Sequence, residues 1–274
     1  MYNPSCFLIH CQSNLHAGSG DTNYGIIDKM IQRDPVTKMP CIFSSSLKGA
    51  LREYFEEGPE KDRTSALTAA IFGKSSDPEN EGTDNSKGNT IFHEAQLIGL
   101  PVRSNLKPYF IATSKIALIN WLTKSELLGL SFPALRNEII ALPDTVLKGV
   151  PKIIGTAIPN LDIEDFANVG SMTATIAELK KYLGDDIVLM NDDDFKEICS
   201  DYDLPVIARN NLENGESKNL WYEQIVPHQS RFVFYTVTIG TDTFTNSINS
   251  INGKNVQIGA NSSLGYGFCK ITKI

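Results

Sequence analysis

The residues best suited to chemistry lie in the first fifty-odd positions, around Asp28 and Lys48. Asp28 stands in an apolar stretch ahead of Arg33. Its carboxylate can hold a metal ion or orient a 2′-hydroxyl group, or it can form a structural ion pair with Lys29 or Arg33. His16 can act as a general acid or base, because imidazole titrates near neutral pH, or it can simply donate hydrogen bonds. Spacing alone leaves these alternatives open.

Two glycine-rich loops and one helix start have the composition of phosphate-binding segments. The first loop contains Gly18, Ser19 and Gly20, and the second spans 260–267. Neither matches the dinucleotide-binding or P-loop pattern, and a lone glycine loop is more often a tight turn. Small residues nevertheless let backbone N–H groups approach a phosphate, and the N-terminus of a helix that carries Lys48 attracts anions. Taken together, these features predict binding to a phosphate backbone.

The charge distribution favours a basic surface on an acidic body. The net charge is −7, whereas general nucleic-acid binders usually carry a basic excess. Binding depends on where charges lie, and the acidic residues crowd into 56–62, 77–84, 162–165 and 185–203. Residues 29–52 contain five basic side chains against one acidic residue, Asp34.

The remaining composition excludes several classes. No stretch approaches the roughly 18 apolar residues of a membrane helix, and the first residues lack the features of a signal peptide. We therefore expect a cytoplasmic protein without a membrane partner. The five cysteines are scattered and form no CxxC pair, which predicts buried free thiols rather than a zinc site or a disulfide framework.

The elements that position these residues alternate between strands and helices. In the first half we predict strands at 6–11 and 90–100 and helices at 62–71 and 115–128. A helix that begins after Ser44, Ser45 and Ser46, one of which caps it, places Leu47 on its apolar face and ends at Gly58. Residues 74–89 are rich in polar residues and predict a mobile loop.

The second half predicts a β-hairpin and further strands. A helix is expected at 173–183, whereas 130–205 is otherwise weakly patterned. Asn214-Gly215 is a typical hairpin turn between 204–209 and 220–226. Trp221 can stack on bases or pack in a core, and Glu223 can support a metal ion or face solvent. An alternating strand is expected at 231–239 and a final strand at 268–274. Strands at both ends of the chain with helices between them indicate an α+β fold.

Several runs of residues cover both ends of the chain and points between them. These are His16-x-Gly18-Ser19-Gly20, Gly25-x-x-Asp28-x-x-Ile31-Gln32-Arg33-Asp34, Ser45-Ser46-Leu47-Lys48-Gly49-x-Leu51-Arg52, Ile71-Phe72-Gly73, Leu100-Pro101-Val102-Arg103-Ser104, Leu220-Trp221-x-Glu223 and Ile258-Gly259-Ala260-Asn261 with Gly265-Tyr266-Gly267-Phe268. Together these motifs resemble the RAMP proteins of CRISPR systems, and more narrowly the repeated backbone subunit of the type III-B (Cmr) effector.

This resemblance implies a fold and an activity. The fold is a ferredoxin-like (RRM-like) core with helical insertions and a protruding β-hairpin thumb at about 207–227, in a single domain over 1–274. Copies stack along a CRISPR guide RNA, together with other Cmr subunits. The thumb displaces target nucleotides at regular intervals, and the subunit cuts the target RNA beside each one with a divalent metal ion, Mg²⁺ or Mn²⁺.

The resemblance also implies roles for individual residues. Asp28 is the catalytic residue and the metal ligand, and His16 and Glu223 occupy accessory catalytic positions. Lys48 contacts the guide backbone. The wider RNA-binding set comprises Gly18, Ser19, Gly20, Arg33, Ser45, Ser46, Arg52, Arg103, Trp221, Gly259, Gly265 and Gly267.

Two residues depart from the family pattern. Ala260 replaces a usual glycine and Leu264 a common threonine, so a close backbone approach at Ala260 requires a negative φ. Two alternative functions within the superfamily are a non-catalytic RNA scaffold, in which Asp28 only forms an ion pair, and an endoribonuclease that processes guide RNA. A small-molecule enzyme is not indicated, because no cofactor motif is present.

Overall fold

The computed structural model describes residues 2–20, 25–57, 61–73, 87–144 and 146–274, with the backbone alone for 61–66. The strands within these residues are β1 (Tyr2–Cys11), β2 (Cys41–Ile42), β3 (Thr90–Phe92), β4 (Ala95–Arg103), β5 (Tyr109–Ser114), β6 (Lys152–Ile154), β7 (Gly170–Met172), β8 (Ile187–Met190), β9 (Val206–Glu213), β10 (Glu216–Gln224), β11 (Arg231–Ile239), β12 (Asn255–Gln257) and β13 (Phe268–Lys273). The helices are α1 (Ser44–Glu57), α2 (Lys61–Phe72), α3 (Lys115–Leu127), α4 (Pro133–Ala141), α5 (Ala177–Leu183), α6 (Asp192–Ile198) and α7 (Asp242–Asn249).

The central sheet confirms the expected α+β class and ferredoxin-like core. Four strands lie side by side in the order β13-β1-β11-β4, and each neighbouring pair is antiparallel. In chain order they form β1-α1-β4 and β11-α7-β13, which is the split βαβ arrangement of that fold. The sheet extends beyond β4 through β5 and then through β8, β6 and β7, which come from the weakly patterned middle of the chain.

Helices cover both faces of this sheet, so its central strands are apolar on both sides. Phe7 and Ile9 of β1 face α1 in one core cluster, whereas Cys6 and Leu8 face α3 and α5 in the other. β11 is buried from Arg231 to Thr238, where the sequence predicts alternation. A strand covered on both faces reads as a continuous apolar run rather than an alternating one.

Most predicted elements are present, with shifted boundaries. α1 begins at Ser44, so the three serines form its first turn and do not precede it, and Leu47 is buried as expected. The strand expected at 90–100 is two strands, because the ladder with β11 is interrupted around His93 and Glu94. Residues 74–86 of the predicted mobile loop lie outside the described residues.

The five cysteines are free and buried, as predicted. Burial raises the pKa of Cys6 and Cys41 to about 12, which keeps these thiols protonated and unreactive. No helix in the described part of the chain is long and apolar enough to cross a membrane.

Candidate functional site

The predicted hairpin stands apart from the central sheet as its own two-stranded ladder of β9 and β10. Asn214 and Gly215 form its turn with φ of 51° and 84°, the positive values that the sequence predicts. A bulge around Lys218 shifts the register by one residue, so that Trp221 pairs with Arg209. The outer half is exposed on both faces, whereas the root at Glu223 is buried.

Glu223 is the best-satisfied polar group of the hairpin root. Its side chain is 2% exposed. One oxygen accepts from Trp221 Nε1 at 2.7 Å and from Lys29 Nζ at 3.1 Å, and the other from Asn261 Nδ2 at 2.8 Å and Arg209 Nη1 at 3.2 Å. These donors come from three separated parts of the chain, so the carboxylate joins the hairpin, the segment of Asp28 and the C-terminal loop.

The surroundings of Glu223 keep it ionised. Burial alone would raise its pKa, but the hydrogen bonds from Trp221, Lys29 and Asn261, with the charge of Arg209, lower the pKa of Glu223 below its usual range. A carboxylate with both oxygens occupied is suited to positioning its neighbours. The predicted catalytic role of Glu223 stays a prediction.

Trp221 lies among cationic side chains at this root. Lys29 Nζ lies 5.2 Å and Arg209 Cζ 5.8 Å from the centroid of the Trp221 ring, and Arg209 Cζ also lies 6.0 Å from that of Tyr266. These distances are those of cation–π contacts. Trp221 is half-buried, so it packs at the root and keeps an accessible portion. Its predicted stacking on bases stays a prediction.

Asp28 lies on the exposed rim of the same root. Its backbone N–H and that of Lys29 donate to Tyr222 O at 3.1 Å, and Gln224 N donates to Lys29 O at 2.9 Å. Asp28 Oδ2 accepts from Tyr222 N at 2.8 Å. No hydrogen bond or ion pair to Oδ1 occurs within the described residues. The structural ion pair with Lys29 or Arg33 does not form, because those side chains pair with Glu223 and Asp201.

The carboxylates of the site indicate how the expected metal ion could bind. In the described residues, no group of three or more His, Cys, Asp or Glu side chains is arranged to hold a metal. Asp28 is nonetheless exposed, and one of its oxygens has no hydrogen bond or ion pair to any described residue. Mg²⁺ commonly binds through one or two carboxylates together with substrate phosphates. The described part of the site therefore fits a metal ion that is shared with RNA phosphates.

His16 is buried beneath the rim, at 3% exposure. Its Nδ1 lies 2.7 Å from Gln224 O. A carbonyl oxygen only accepts, so Nδ1 carries a proton and Nε2 is left to accept or donate. Nε2 faces Gly18, where a Cβ atom would lie only 3.1 Å away. The predicted acid–base role of His16 stays a prediction.

The C-terminal glycine loop packs directly on His16. A Cβ on Gly259 would lie 2.5 Å from His16 O, and Ala260 N donates to that oxygen at 2.9 Å. Ala260 is not among the residues with positive φ, as a close approach there requires. A Cβ on Gly267 would overlap Ile258 O. Asn261 adopts the left-handed conformation, with φ of 65°, that turns its side chain to Glu223.

The predicted cationic RNA contacts divide into free and committed groups. Lys48 has no ion-pair partner in the described part of the chain. Arg33 Nε contacts Asp201 at 2.7 Å, and Arg52 Nε contacts Glu56 at 3.0 Å. Arg103, at the end of β4, pairs with Glu164 at 2.6 Å, and no hydrogen bond or ion pair links it to the other predicted site residues.

The amides of the α1 start are also available. The backbone N–H groups of Ser44, Ser45 and Ser46 have no acceptor within the described residues, and Leu47 N bonds to Phe43 O at 3.0 Å. Hydrogen bonds and backbone packing thus connect the predicted site segments: Gly18–Gly20, the α1 start, His16, Asp28, Trp221 and the C-terminal loop.

Three residues of the site are not predicted from the sequence. Gln32 lies between the first glycine loop and α1, and Asn261 and Arg209 bond to Glu223. Gln32 and Asn261 lie within motifs that resemble the RAMP family, and a polar residue inside such a motif could have indicated a role in the site. Arg209 is placed by the bulge, since an unbulged two-residue turn would pair Trp221 with Ala208.

Comparison with known proteins connects this geometry to a family. A model described as the RAMP superfamily matches residues 8–270. The CRISPR system Cmr endoribonuclease Cmr4 of Pyrococcus furiosus is 28% identical over 283 residues, covering 94% of this chain and 91% of that protein. A cryo-EM structure of type III-B Cmr-beta in its apo state has a similar fold, with a TM-score of 0.80, 21% identity and coverage of 99% and 97%. Oligomeric Cmr4 from Pyrococcus furiosus follows with a TM-score of 0.70, 21% identity and coverage of 99% and 98%.

Proposed function

This chain belongs to the RAMP superfamily, and we propose that it is a guide-RNA-binding backbone subunit of a type III-B CRISPR effector that cleaves target RNA at regular intervals. The observation that carries the proposal is the exposed carboxylate of Asp28, bonded to Tyr222 at the root of a protruding hairpin. A relative named as the Cmr endoribonuclease matches nearly the whole chain, which supports the same activity here.

The partners follow from this role. The chain binds guide RNA and guide-paired target RNA in the cytoplasm, and assembles with further copies of itself and with other Cmr subunits. Solved relatives include Cmr-beta bound to cognate target RNA and an oligomeric form of Cmr4, and both support such an assembly. Base pairing supplies sequence specificity, so the protein needs only contacts to the RNA backbone and its shape.

The mechanism uses the hairpin and Asp28 together. A regular A-form helix holds each 2′-oxygen out of line with its own phosphate. The hairpin displaces a target nucleotide, so that its 2′-oxygen aligns with the scissile phosphorus. Asp28 assists removal of the 2′ proton, the 2′-oxygen attacks, and the bond to the 5′-oxygen breaks. The products are a 2′,3′-cyclic phosphate and a 5′-hydroxyl, which takes up a proton.

Metal dependence is part of the proposal. Asp28 Oδ1 and RNA phosphate oxygens would together hold Mg²⁺ or Mn²⁺, which supplies charge neutralisation at the phosphate when bound. We expect EDTA to stop cleavage while guide RNA stays bound. Cleavage at an unchanged rate in EDTA would leave Asp28 as a proton acceptor without a metal.

The direct test is Asp28→Ala in the effector reconstituted with guide and target RNA. We expect loss of target cleavage with unchanged guide binding, and a matched control, Asp165→Ala at another exposed carboxylate, should cleave normally. Unchanged cutting by Asp28→Ala would favour the non-catalytic scaffold. Cleavage of repeat RNA by the lone chain would instead indicate a guide-processing enzyme.

A further inference from the structure

Gln32 connects the two segments that we propose to grip the guide RNA. Its side chain is buried, at 4% exposure. Nε2 donates to Gly18 O at 2.9 Å and to Ser46 Oγ at 2.7 Å, and Oε1 accepts from Phe43 N at 2.6 Å. A single amide therefore spans the first glycine loop and the first turn of α1.

The direction of these bonds is fixed by the chemistry of the partners. Gly18 O can only accept and Phe43 N–H can only donate, so Nε2 and Oε1 of Gln32 cannot be exchanged. Ser46 Oγ consequently accepts a hydrogen bond from Nε2. Both donors of the Gln32 amide are then in use.

This leaves the Ser46 hydroxyl with its own proton to donate. A hydroxyl has one proton and two lone pairs, and accepting a bond from Gln32 leaves the proton directed elsewhere. No acceptor for it occurs among the described residues, and Ser46 is half-buried, so it keeps access to solvent. Phosphate oxygens accept and do not donate, so this hydroxyl matches them, at a helix start that attracts anions.

We propose that Gln32 is a positioning residue that holds the Ser46 hydroxyl as a hydrogen-bond donor to a guide-RNA phosphate and fixes the Gly18 loop beside it. The proposal rests on the proposed function, because it needs guide RNA at the start of α1. Gln32 itself does not contact the RNA.

A double-mutant cycle on guide-RNA affinity in the reconstituted effector tests this role. Gln32→Glu replaces a donor with an acceptor, so Ser46 would turn its proton inward. We expect Gln32→Glu and Ser46→Ala each to weaken guide binding by about fivefold or more, the worth of about one hydrogen bond. The double variant should bind guide RNA about as well as the single variant with the lower affinity. Ser46→Thr keeps the hydroxyl group and should bind with wild-type affinity.

Two further measurements separate positioning from a general loss of structure. Ser46→Ala and Gln32→Met change no charge, so the slope of affinity against salt should stay that of the wild type in both variants. If Gln32→Glu does not fold, Gln32→Met, which also lacks the donor, replaces it in the cycle. Independent effects, whose fold-changes multiply in the double variant, would overturn the role of Gln32. Failure of the wild-type effector to hold guide RNA would overturn the proposed function instead.

Discussion

Asp28 and Glu223 are two carboxylates at one hairpin root, and they differ in how much of their bonding capacity the protein uses. Glu223 is buried, and four donors fill both of its oxygens. Asp28 is exposed and has one oxygen bonded to Tyr222 N. The same chemical group therefore serves two purposes. The buried carboxylate of Glu223 joins the hairpin, the C-terminal loop and the segment of Asp28. The exposed carboxylate of Asp28 stays accessible to RNA.

The largest effects on stability should come from the packing of the buried region. Gly267→Ala would place the new Cβ atom so close to Ile258 O that the two atoms overlap. It would also hold an alanine at the left-handed φ of 72° that Gly267 adopts. We expect a loss of roughly 3 kcal/mol or more, combining a backbone clash with about 1–2 kcal/mol of left-handed strain. Chemical denaturation measures this difference.

Gly265→Ala is the matched control for that clash. Gly265 has φ of 80°, but no atom of the described residues lies within 4 Å of an added Cβ, so only the strain applies. Equal losses of stability in the Gly265→Ala and Gly267→Ala variants would mean that the loop relaxes around the added methyl group.

Removing the Glu223 carboxylate should cost somewhat less. Glu223→Ala leaves Trp221, Asn261, Lys29 and Arg209 without their acceptor, and we expect a loss of about 2–3 kcal/mol, moderated because Lys29 is largely in solvent. Glu223→Gln keeps one acceptor and should lose about half as much. Thermal unfolding of both variants checks the order, and an Ala variant as stable as the wild type would remove Glu223 from the holding role.

The pH dependence of stability should report Glu223 as well. Its pKa is lowered in the folded protein, so its contribution is present above the unfolded pKa of about 4.3 and is lost as pH falls through the lower folded pKa. Denaturation between pH 6 and about pH 3 should therefore show a smaller acid-induced loss in Glu223→Gln than in the wild type. Parallel curves for the two proteins would contradict the lowered pKa.

In the first turns of α1, Lys48→Ala should produce the smallest effect. Loss of one phosphate contact should weaken guide binding several-fold and reduce the salt slope by about 0.7. Lys196→Ala, at an exposed lysine of α6, should leave both unchanged. A Lys48 variant with the wild-type salt slope would place this side chain away from the guide.

Local structure was easier to predict from the sequence than contacts between distant segments. The Asn214-Gly215 turn, the strands around it and the helix with Leu47 follow from local periodicity and turn chemistry. Contacts across long sequence separations do not, because nothing local indicates that Asn261 reaches Glu223 or that Gln32 reaches Ser46. The short strands between 150 and 190 were missed because they are brief and depend on sheet extension rather than on their own pattern.

Single-turnover cleavage by Asp28→Asn and Glu223→Gln, compared in the reconstituted effector, tests the division between the two carboxylates most directly. We expect Asp28→Asn to slow cleavage about a hundredfold or more, with wild-type stability and guide affinity. Glu223→Gln should cleave within about tenfold of the wild type while unfolding at a lower temperature. Cleavage at the wild-type rate by Asp28→Asn, or a hundredfold loss in Glu223→Gln at unchanged stability, would contradict the account.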